Sequence, residues 1–215
     1  MSAQKAIASI GTGPHERLLR LAARSFAPFA ERHGYDLHLR TEVLDPSRPA
    51  PWSKIPLLRD LLDRYEIVLW LDSDLVIVDG REDLPPPDFM ALVEHATKEG
   101  RMPNSGVWAL RAGEEARRFL DEVWAQEDLL EHRWWENAAI CRLLGYSLDP
   151  VGPGEPTAWL ERTSFLDPRW NSIPDAPVER PRINHYPGYS TRVRGALMAR
   201  DLLRRRLIEA AVRQP

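Results

Sequence analysis

Cysteine is nearly absent from this chain of 215 residues, in which Cys141 stands alone. An intrachain disulfide and a thiolate metal cluster are therefore excluded, and a reducing compartment fits this cysteine usage. Apolar runs are short as well. None approaches the roughly 18 residues that span a bilayer, and segment 6–10 is too short for the core of a signal peptide. These features predict a cytoplasmic protein.

The chain also lacks a strong charge of either sign, because its formal net charge is −3. Binding to nucleic acid without regard to sequence needs a basic surface, so we expect no nucleic-acid partner. Apolar residues make up 43% of the chain and charged residues 28%, the balance of an ordinary globular protein. At this length one domain with a sizeable core is expected.

The first third of the chain alternates between strand-like and helix-like segments, in the order 5–10, 16–32, 35–40, 54–65 and 67–71. Ser53 is the expected cap of the second helix. The order β-α-β-α-β is typical of an α/β fold with a mostly parallel, doubly wound sheet flanked by helices.

Later segments give weaker signals. Strands are expected at 89–94 and 107–111 around a turn-rich loop at 102–106, and helices at 114–126 and 135–144. Eight prolines between positions 150 and 187 exclude regular helix and central strand. We therefore expect this part to wrap around the sheet and close a site.

Segment 192–213 is predicted to form a strongly basic helix, with four arginines close together at Arg200, Arg204, Arg205 and Arg206. A basic amphipathic helix can lie on an anionic membrane surface as a peripheral contact. The alternative is a solvated face on a helix that packs onto the domain through Leu202, Leu203, Leu207 and Ile208. The sequence favours this second interpretation.

Two carboxylates directly follow the third predicted strand, in the run Leu69-Trp70-Leu71-Asp72-Ser73-Asp74. Asp72 and Asp74 are two positions apart, so an extended chain points both to one face. Uninterrupted apolar strands belong to parallel sheets, whose carboxyl ends open into a ligand crevice. Carboxylates suit Mg²⁺ or Mn²⁺, which bind substrate phosphates. The pattern predicts a site for a diphosphate, unless the two acids simply turn the chain.

Four further motifs occur in a defined order: Trp52-Ser53-Lys54, Asn104-Ser105-Gly106, Trp134-Trp135-Glu136-Asn137 and His185-Tyr186-Pro187-Gly188. Together with the acidic pair they resemble glycosyltransferases of the GT-A fold. The resemblance is closest to the galactosyltransferase and xylosyltransferase group related to yeast mannan and galactomannan enzymes, and looser to the glycogenin-like group. It covers roughly residues 5–195.

The resemblance implies a single GT-A-like catalytic domain over residues 1–215. Residues 1–80 would form its nucleotide-binding half, residues 81–190 its donor and acceptor half, and residues 191–213 the basic helix. The implied metal is Mn²⁺ or Mg²⁺, held by Asp74 and His185 with Asp72 as a further ligand or donor contact.

The resemblance also assigns residues to donor binding, namely Thr12, Lys54, Asp72, Ser73, Gly188, Arg192 and Arg194. Gly188 would let the backbone approach the phosphates, and Thr12 would contact the base. The chain departs from the family pattern at Thr191, where a lysine often steadies the leaving diphosphate. Arg192, Arg194 or Lys54 is expected to supply that charge.

Asn104, Glu136 and Asn137 are the candidate catalytic residues, expected to face the transferred sugar or the acceptor hydroxyls. The implied reaction moves a sugar from a nucleotide-sugar donor, by resemblance a UDP-sugar, to an unknown glycan, lipid-linked or small-molecule acceptor. Retention of anomeric configuration is inherited from the resemblance. The sequence does not indicate an oligomeric state.

Three other functional classes have motifs that partly match this chain. NAD binding is rejected, because Gly11-Thr12-Gly13 lacks the third glycine of a dinucleotide fingerprint. A haloacid-dehalogenase-like phosphatase also has a strand that ends in Asp-x-Asp, but that strand comes first in the sheet and a later acidic pair is needed. A non-catalytic sugar-nucleotide-binding protein would share most of the same residues and stays open.

Overall fold

The computed structural model describes the backbone of residues 4–212 and the side chains of residues 4–205. The described part contains strands β1 (Lys5–Ile10), β2 (Tyr35–Arg40), β3 (Ile67–Leu71), β4 (Leu75–Ile77), β5 (Met90–Thr97), β6 (Gly100–Arg111), β7 (Tyr146–Leu148), β8 (Val151–Pro153), β9 (Thr163–Phe165) and β10 (Ile183–His185). Its α-helices are α1 (Glu16–His33), α2 (Lys54–Leu62), α3 (Glu114–Trp124), α4 (Trp135–Leu143), α5 (Ala158–Arg162) and α6 (Thr191–Val212).

The main sheet has six strands in the order β2-β1-β3-β6-β5-β9. β6 runs antiparallel to both of its neighbours, and every other pair in the sheet is parallel. The predicted mostly parallel α/β sheet is therefore confirmed. β3 lies in the middle of the sheet and all of its residues are buried, as an uninterrupted apolar strand requires.

The two faces of the sheet pack into separate cores. Val68 and Trp70 of β3 belong to a core shared with α2, α3 and α4. Leu69 and Leu71 alternate to the other face, where they share a core with α1, β4, β10 and the first half of α6. Helices on both faces bury the sheet and leave its carboxyl edge for ligands.

One predicted loop is a strand. Segment 102–106 belongs to β6, which begins at Gly100 and pairs with β5. The ladder shifts register, because Leu92 pairs with Trp108 whereas Val93 pairs with Asn104. The turn-forming residues Ser105 and Gly106 therefore lie in a bulge, which accommodates them within the strand.

Ser53 does not cap α2 through its side chain. It has helical backbone angles at the end of a short 3₁₀ helix, and its Oγ accepts a hydrogen bond from the backbone N–H of Leu44 at 3.0 Å. Its hydroxyl therefore fixes the loop after β2.

The proline-rich segment is irregular over most of its length, as predicted, but a short helix forms between positions 156 and 168, where no proline occurs. It forms the β7–β8 hairpin, the short helix α5, the edge strand β9 and a 3₁₀ helix over Pro168–Asn171, before β10 pairs with β4. The predicted C-terminal helix is α6, in which Leu202 is buried and Leu203 is 62% exposed. The side chains of Arg206, Leu207 and Ile208 lie outside the described residues. No helix within residues 4–212 is long and apolar enough to cross a membrane.

Candidate metal and donor-sugar site

Asp72, Asp74 and His185 form one cluster at the carboxyl end of β3. The acids lie in the turn between β3 and β4, and β10 pairs with β4 so that His185 lies opposite Leu75. His185 Nε2 is 3.4 Å from Asp74 Oδ1 and 3.7 Å from Asp72 Oδ2. One ligand atom from each residue lies within 4.8 Å of the others. The pairing of two short strands thus unites groups that are far apart in the sequence.

This donor set fits a divalent metal ion. Two carboxylates and one imidazole are ligands that Mn²⁺ accepts. Asp74 and His185 are buried, whereas the Asp72 side chain is 31% exposed and leaves one side open. Burial raises the pKa of Asp74, but the charge of Arg194 and the other groups around the carboxylate outweigh burial and lower this pKa to about 2. The carboxylate is therefore ionised at neutral pH, as a metal ligand must be.

Arg194, in the first turn of α6, contacts the cluster from another side. Its Nη1 is 3.1 Å from Asp74 Oδ2 and 3.5 Å from His15 Nε2, while His15 Nδ1 is 3.5 Å from Ser73 Oγ. The Arg194 Nε is buried without a hydrogen-bond partner among the described residues. Burial and Arg194 lower the pKa of His15, which keeps its ring neutral beside the guanidinium. Arg194 is the predicted donor-binding cation that touches the metal cluster from α6.

Lys54 lies below the acids and is only 3% exposed. Its Nζ is 2.6 Å from Glu136 Oε1, 3.2 Å from Asp72 Oδ1 and 3.1 Å from Ser105 Oγ. Burial would lower the pKa of Lys54, but Asp72 and Glu136 outweigh burial and raise it. The ammonium is thus held between two carboxylates, and it orients them.

Glu136 and Asn137 extend from the first turn of α4 toward β6. Glu136 is 5% exposed, and its Oε2 is buried with no hydrogen-bond partner in the described part of the chain. Burial and Asp72 raise the pKa of Glu136 in spite of Lys54. Asn137 Oδ1 accepts from the Ser105 N–H at 2.8 Å, and its Nδ2 donates to the Pro103 carbonyl at 3.2 Å. Asn137 therefore holds the bulged part of β6.

Asn104 and Gly106 form the β6 wall next to His185. Asn104 Oδ1 accepts from the Gly106 N–H at 2.9 Å. A Cβ atom on Gly106 would lie 2.4 Å from His185 Cε1, so only glycine lets the ring come this close to the strand.

The other predicted donor-binding residues stand apart. Thr12 lies in the loop after β1, Arg192 is exposed on α6, and Gly188 has a left-handed backbone with φ 79°, which favours glycine. No hydrogen bond or ion pair within the described residues links these three to the acidic cluster, and their roles stay predictions.

His15 and Asn171 belong to the site but were not predicted from the sequence. His15 follows a strand-ending loop at the carboxyl edge of the sheet, and this position alone could have marked it as a candidate. Asn171 Oδ1 is 2.9 Å from His185 Nδ1, and its Nδ2 donates to Asn104 Oδ1 at 2.9 Å. Nothing in the irregular segment around Asn171 distinguishes it in the sequence.

Part of the chain is similar in sequence to known proteins. Residues 14–118 match the galactosyl transferase GMA12/MNN10 family. An uncharacterised alpha-1,2-galactosyltransferase of Schizosaccharomyces pombe is 32% identical over 98 residues, which are 42% of this chain and 24% of that protein. A probable glycosyltransferase of Oryza sativa subsp. indica is 34% identical over 67 residues, 30% of this chain and 14% of that protein. The matches thus span about a quarter or less of these relatives.

Two solved structures share the fold over nearly their whole length. A glycosyltransferase involved in the glycosylation of the major capsid of PBCV-1 has a TM-score of 0.65 at 20% identity, covering 91% of this chain and 99% of that one. The galactosyltransferase LgtC, in complex with donor and acceptor sugar analogs, has a TM-score of 0.57 at 11% identity, covering 91% and 95%.

The chain therefore has the fold of GT-A glycosyltransferases, which confirms the predicted fold class. Its sequence similarity is to the GMA12/MNN10 galactosyl transferases, over residues 14–118.

Proposed function

We propose that this protein is a metal-dependent glycosyltransferase that moves a sugar from a nucleoside-diphosphate sugar to a hydroxyl acceptor. The observation that carries the proposal is the Asp72, Asp74 and His185 cluster at the carboxyl end of the central strand of a GT-A fold. UDP as the carrier and retention of anomeric configuration are part of the proposal and rest on family resemblance. A cytoplasmic location is proposed from the cysteine usage and the short apolar runs.

The cluster would hold Mn²⁺ or Mg²⁺ through Asp72, Asp74 and His185. When bound, the ion supplies positive charge for the oxygens of the leaving diphosphate. Arg194 adds a guanidinium that already contacts Asp74 and suits phosphate oxygens. As the anomeric bond breaks, electrons move onto the diphosphate, and fixed positive charge near those oxygens lowers the barrier.

The sugar side of the site is assigned to Asn104 and Glu136. The breaking bond leaves the sugar oxocarbenium-like, and a nearby carboxylate stabilises such a cation. Glu136 is joined to Asp72 through Lys54, so that the sugar-facing carboxylate and the metal ligand share one ammonium. Asn137 supports this wall by holding the backbone of Ser105.

The test is an incubation of the purified protein with a panel of nucleotide sugars and Mn²⁺, in which release of nucleoside diphosphate is measured. We expect release from one donor class, at least 100-fold slower in Asp74→Ala because a metal ligand is lost. Asp88→Ala is the matched control, since Asp88 is exposed and lies outside the cluster. The anomeric configuration of the product, read by NMR, tests retention.

Other outcomes would reject the proposal in different ways. Activity on phosphomonoesters alone would indicate a phosphatase. Saturable donor binding without turnover would indicate a sugar-nucleotide-binding protein. Equal turnover by Asp74→Ala and Asp88→Ala would remove the metal assignment.

A further inference from the structure

Asn171 connects two site residues that lie on different strands, Asn104 on β6 and His185 on β10. It ends the short 3₁₀ helix that precedes β10, and none of its surface is exposed. On one side its amide meets His185 Nδ1, and on the other it meets Asn104 Oδ1, both at 2.9 Å. A completely buried asparagine that bonds two site residues constrains both of them.

The direction of each hydrogen bond follows from a backbone group. The Gly106 N–H can only donate, so the atom of Asn104 that faces it at 2.9 Å must be the carbonyl oxygen Oδ1. That oxygen accepts, so the Asn171 atom facing it must be the amide nitrogen. The opposite atom of the Asn171 amide is then the oxygen, which requires a proton on His185 Nδ1.

We infer that Asn171 is a positioning residue that fixes the tautomer of His185 and the amide orientation of Asn104 together. This inference rests on the proposed function for its purpose, although the tautomer itself does not. With Nδ1 holding its proton for Asn171, Nε2 is the nitrogen that would be free to bind a metal ion beside Asp72 and Asp74. With its oxygen bound twice, Asn104 would use its amide nitrogen toward the donor sugar.

The reversed arrangement disagrees with the same contacts. If the Asn171 amide were rotated by half a turn, its oxygen would face Asn104 Oδ1 at 2.9 Å, and two acceptors would meet without a proton. His185 Nδ1 would have to accept, and the ring proton would lie on Nε2, between the acids. That tautomer cannot ligate a metal through Nε2. The Gly106 N–H therefore determines which ring nitrogen of His185 carries the proton toward Asn171. It does so through three successive hydrogen bonds, from Gly106 to Asn104, from Asn171 to Asn104 and from His185 to Asn171.

The first test reads the tautomer directly in the metal-free protein. Nitrogen-15 NMR of histidine-labelled protein at about pH 8 separates protonated from unprotonated ring nitrogens, and His185→Gln identifies the His185 signals. We expect the proton on Nδ1 of the wild-type protein. An unprotonated Nδ1 would overturn the inference, and this measurement needs no variant of Asn171 to fold.

The second test measures Mn²⁺ affinity by calorimetry. Asn171→Leu removes both hydrogen bonds at similar volume, and we expect about 10- to 100-fold weaker binding. Asn171→Asp keeps an acceptor for His185 Nδ1, so Mn²⁺ affinity should stay within about threefold of wild type or rise. The same variant cannot donate to Asn104 when ionised, so its turnover of the nucleotide sugar should fall although the metal binds.

The outcomes separate this inference from the proposed function. If wild-type protein binds Mn²⁺ and Asn171→Leu, shown to be folded by circular dichroism, binds it equally well, the inference is wrong and the function stands. If the wild-type protein binds no Mn²⁺ while His185 carries its proton on Nδ1, the metal-dependent function is wrong and the positioning role stands.

Discussion

At the scale of single residues, a buried polar group without a hydrogen-bond partner lowers the stability of the folded chain. His95 on β5 is 4% exposed, and its Nε2 is buried without a hydrogen-bond partner among the described residues. Burial lowers the pKa of His95 to about 4. The ring is therefore neutral in the folded protein at neutral pH. Between about pH 4 and pH 6.5, the unfolded chain binds a proton at this histidine and the folded chain does not.

This depressed pKa predicts a pH dependence. Between pH 6.5 and pH 4 the unfolded chain protonates at position 95 and the folded chain does not, so stability falls as pH falls. From pH 7.5 to pH 5, we expect the free energy of unfolding of wild-type protein to drop about 2 kcal/mol more than that of His95→Leu. Urea denaturation at both pH values measures the difference.

Val93→Ala is the matched control, because Val93 is buried on the same strand and does not titrate. Its overall stability should fall through the lost packing, while its pH dependence should equal that of wild-type protein. The explanation fails if His95→Leu loses as much stability between the two pH values as the wild type does.

At the scale of elements, α6 fixes the strand that carries His185. Asp201 is 3% exposed on α6, and it accepts hydrogen bonds from Asn184 Nδ2 at 2.6 Å and from the Tyr186 hydroxyl. These donors are the residues on either side of His185. Burial and Asp201 raise the pKa of Tyr186, so its hydroxyl stays protonated and continues to donate. The Asp201 carboxylate thus ties α6 to the residues on either side of His185.

Asp201→Ala should loosen this connection. Two donors would lose their acceptor inside the protein, and we expect the free energy of unfolding to fall by about 2–4 kcal/mol in denaturant titration. Mn²⁺ affinity should fall as well, because the residues on either side of His185 lose their acceptor. Arg204→Ala, an exposed change on the same helix, should stay within about 0.5 kcal/mol of wild type. Equal effects of the two substitutions would contradict the role of Asp201.

At the scale of the whole molecule, the site joins segments from almost the entire described chain. Asp72 and Asp74 follow β3, Glu136 begins α4, and His185 and Arg194 come from the last two elements. Ligands that bind such a site hold both halves of the fold together, and binding to the folded state alone raises stability by mass action.

Metal and nucleotide should therefore stabilise the molecule together. With Mn²⁺ saturating and UDP at about 100 times its dissociation constant, we expect UDP to add about 2.7 kcal/mol of stability and to raise Tm by about 5–10 °C. EDTA should reverse this rise. Asp74→Ala should show none of it, and Asp88→Ala should show all of it. A wild-type Tm that is unaffected by both ligands would argue against a preformed donor site.

The sequence predicted the first half of the fold well. The bounds of β1, β2 and β3 agree with the predicted segments, and α1 extends one residue beyond its expected end. The second helix, expected over 54–65, ends three residues early at Leu62. These elements are encoded by local periodicity, which a single sequence displays. The prediction of a loop at segment 102–106 was wrong, because pairing with β5 outweighs the turn preference of its proline and glycine.

The site, like the fold, has parts that local sequence specifies and parts that depend on tertiary contacts. The sequence by itself determined the strand and the acid pair that follows it, because side-chain chemistry and short spacing can be read without a structure. The late histidine was predicted through the resemblance to a family. Only the tertiary structure decided that Lys54 lies between Asp72 and Glu136, and that Asn171 connects His185 with Asn104. Those contacts join residues far apart in the chain, and they form only when strand pairing and helix packing bring them together.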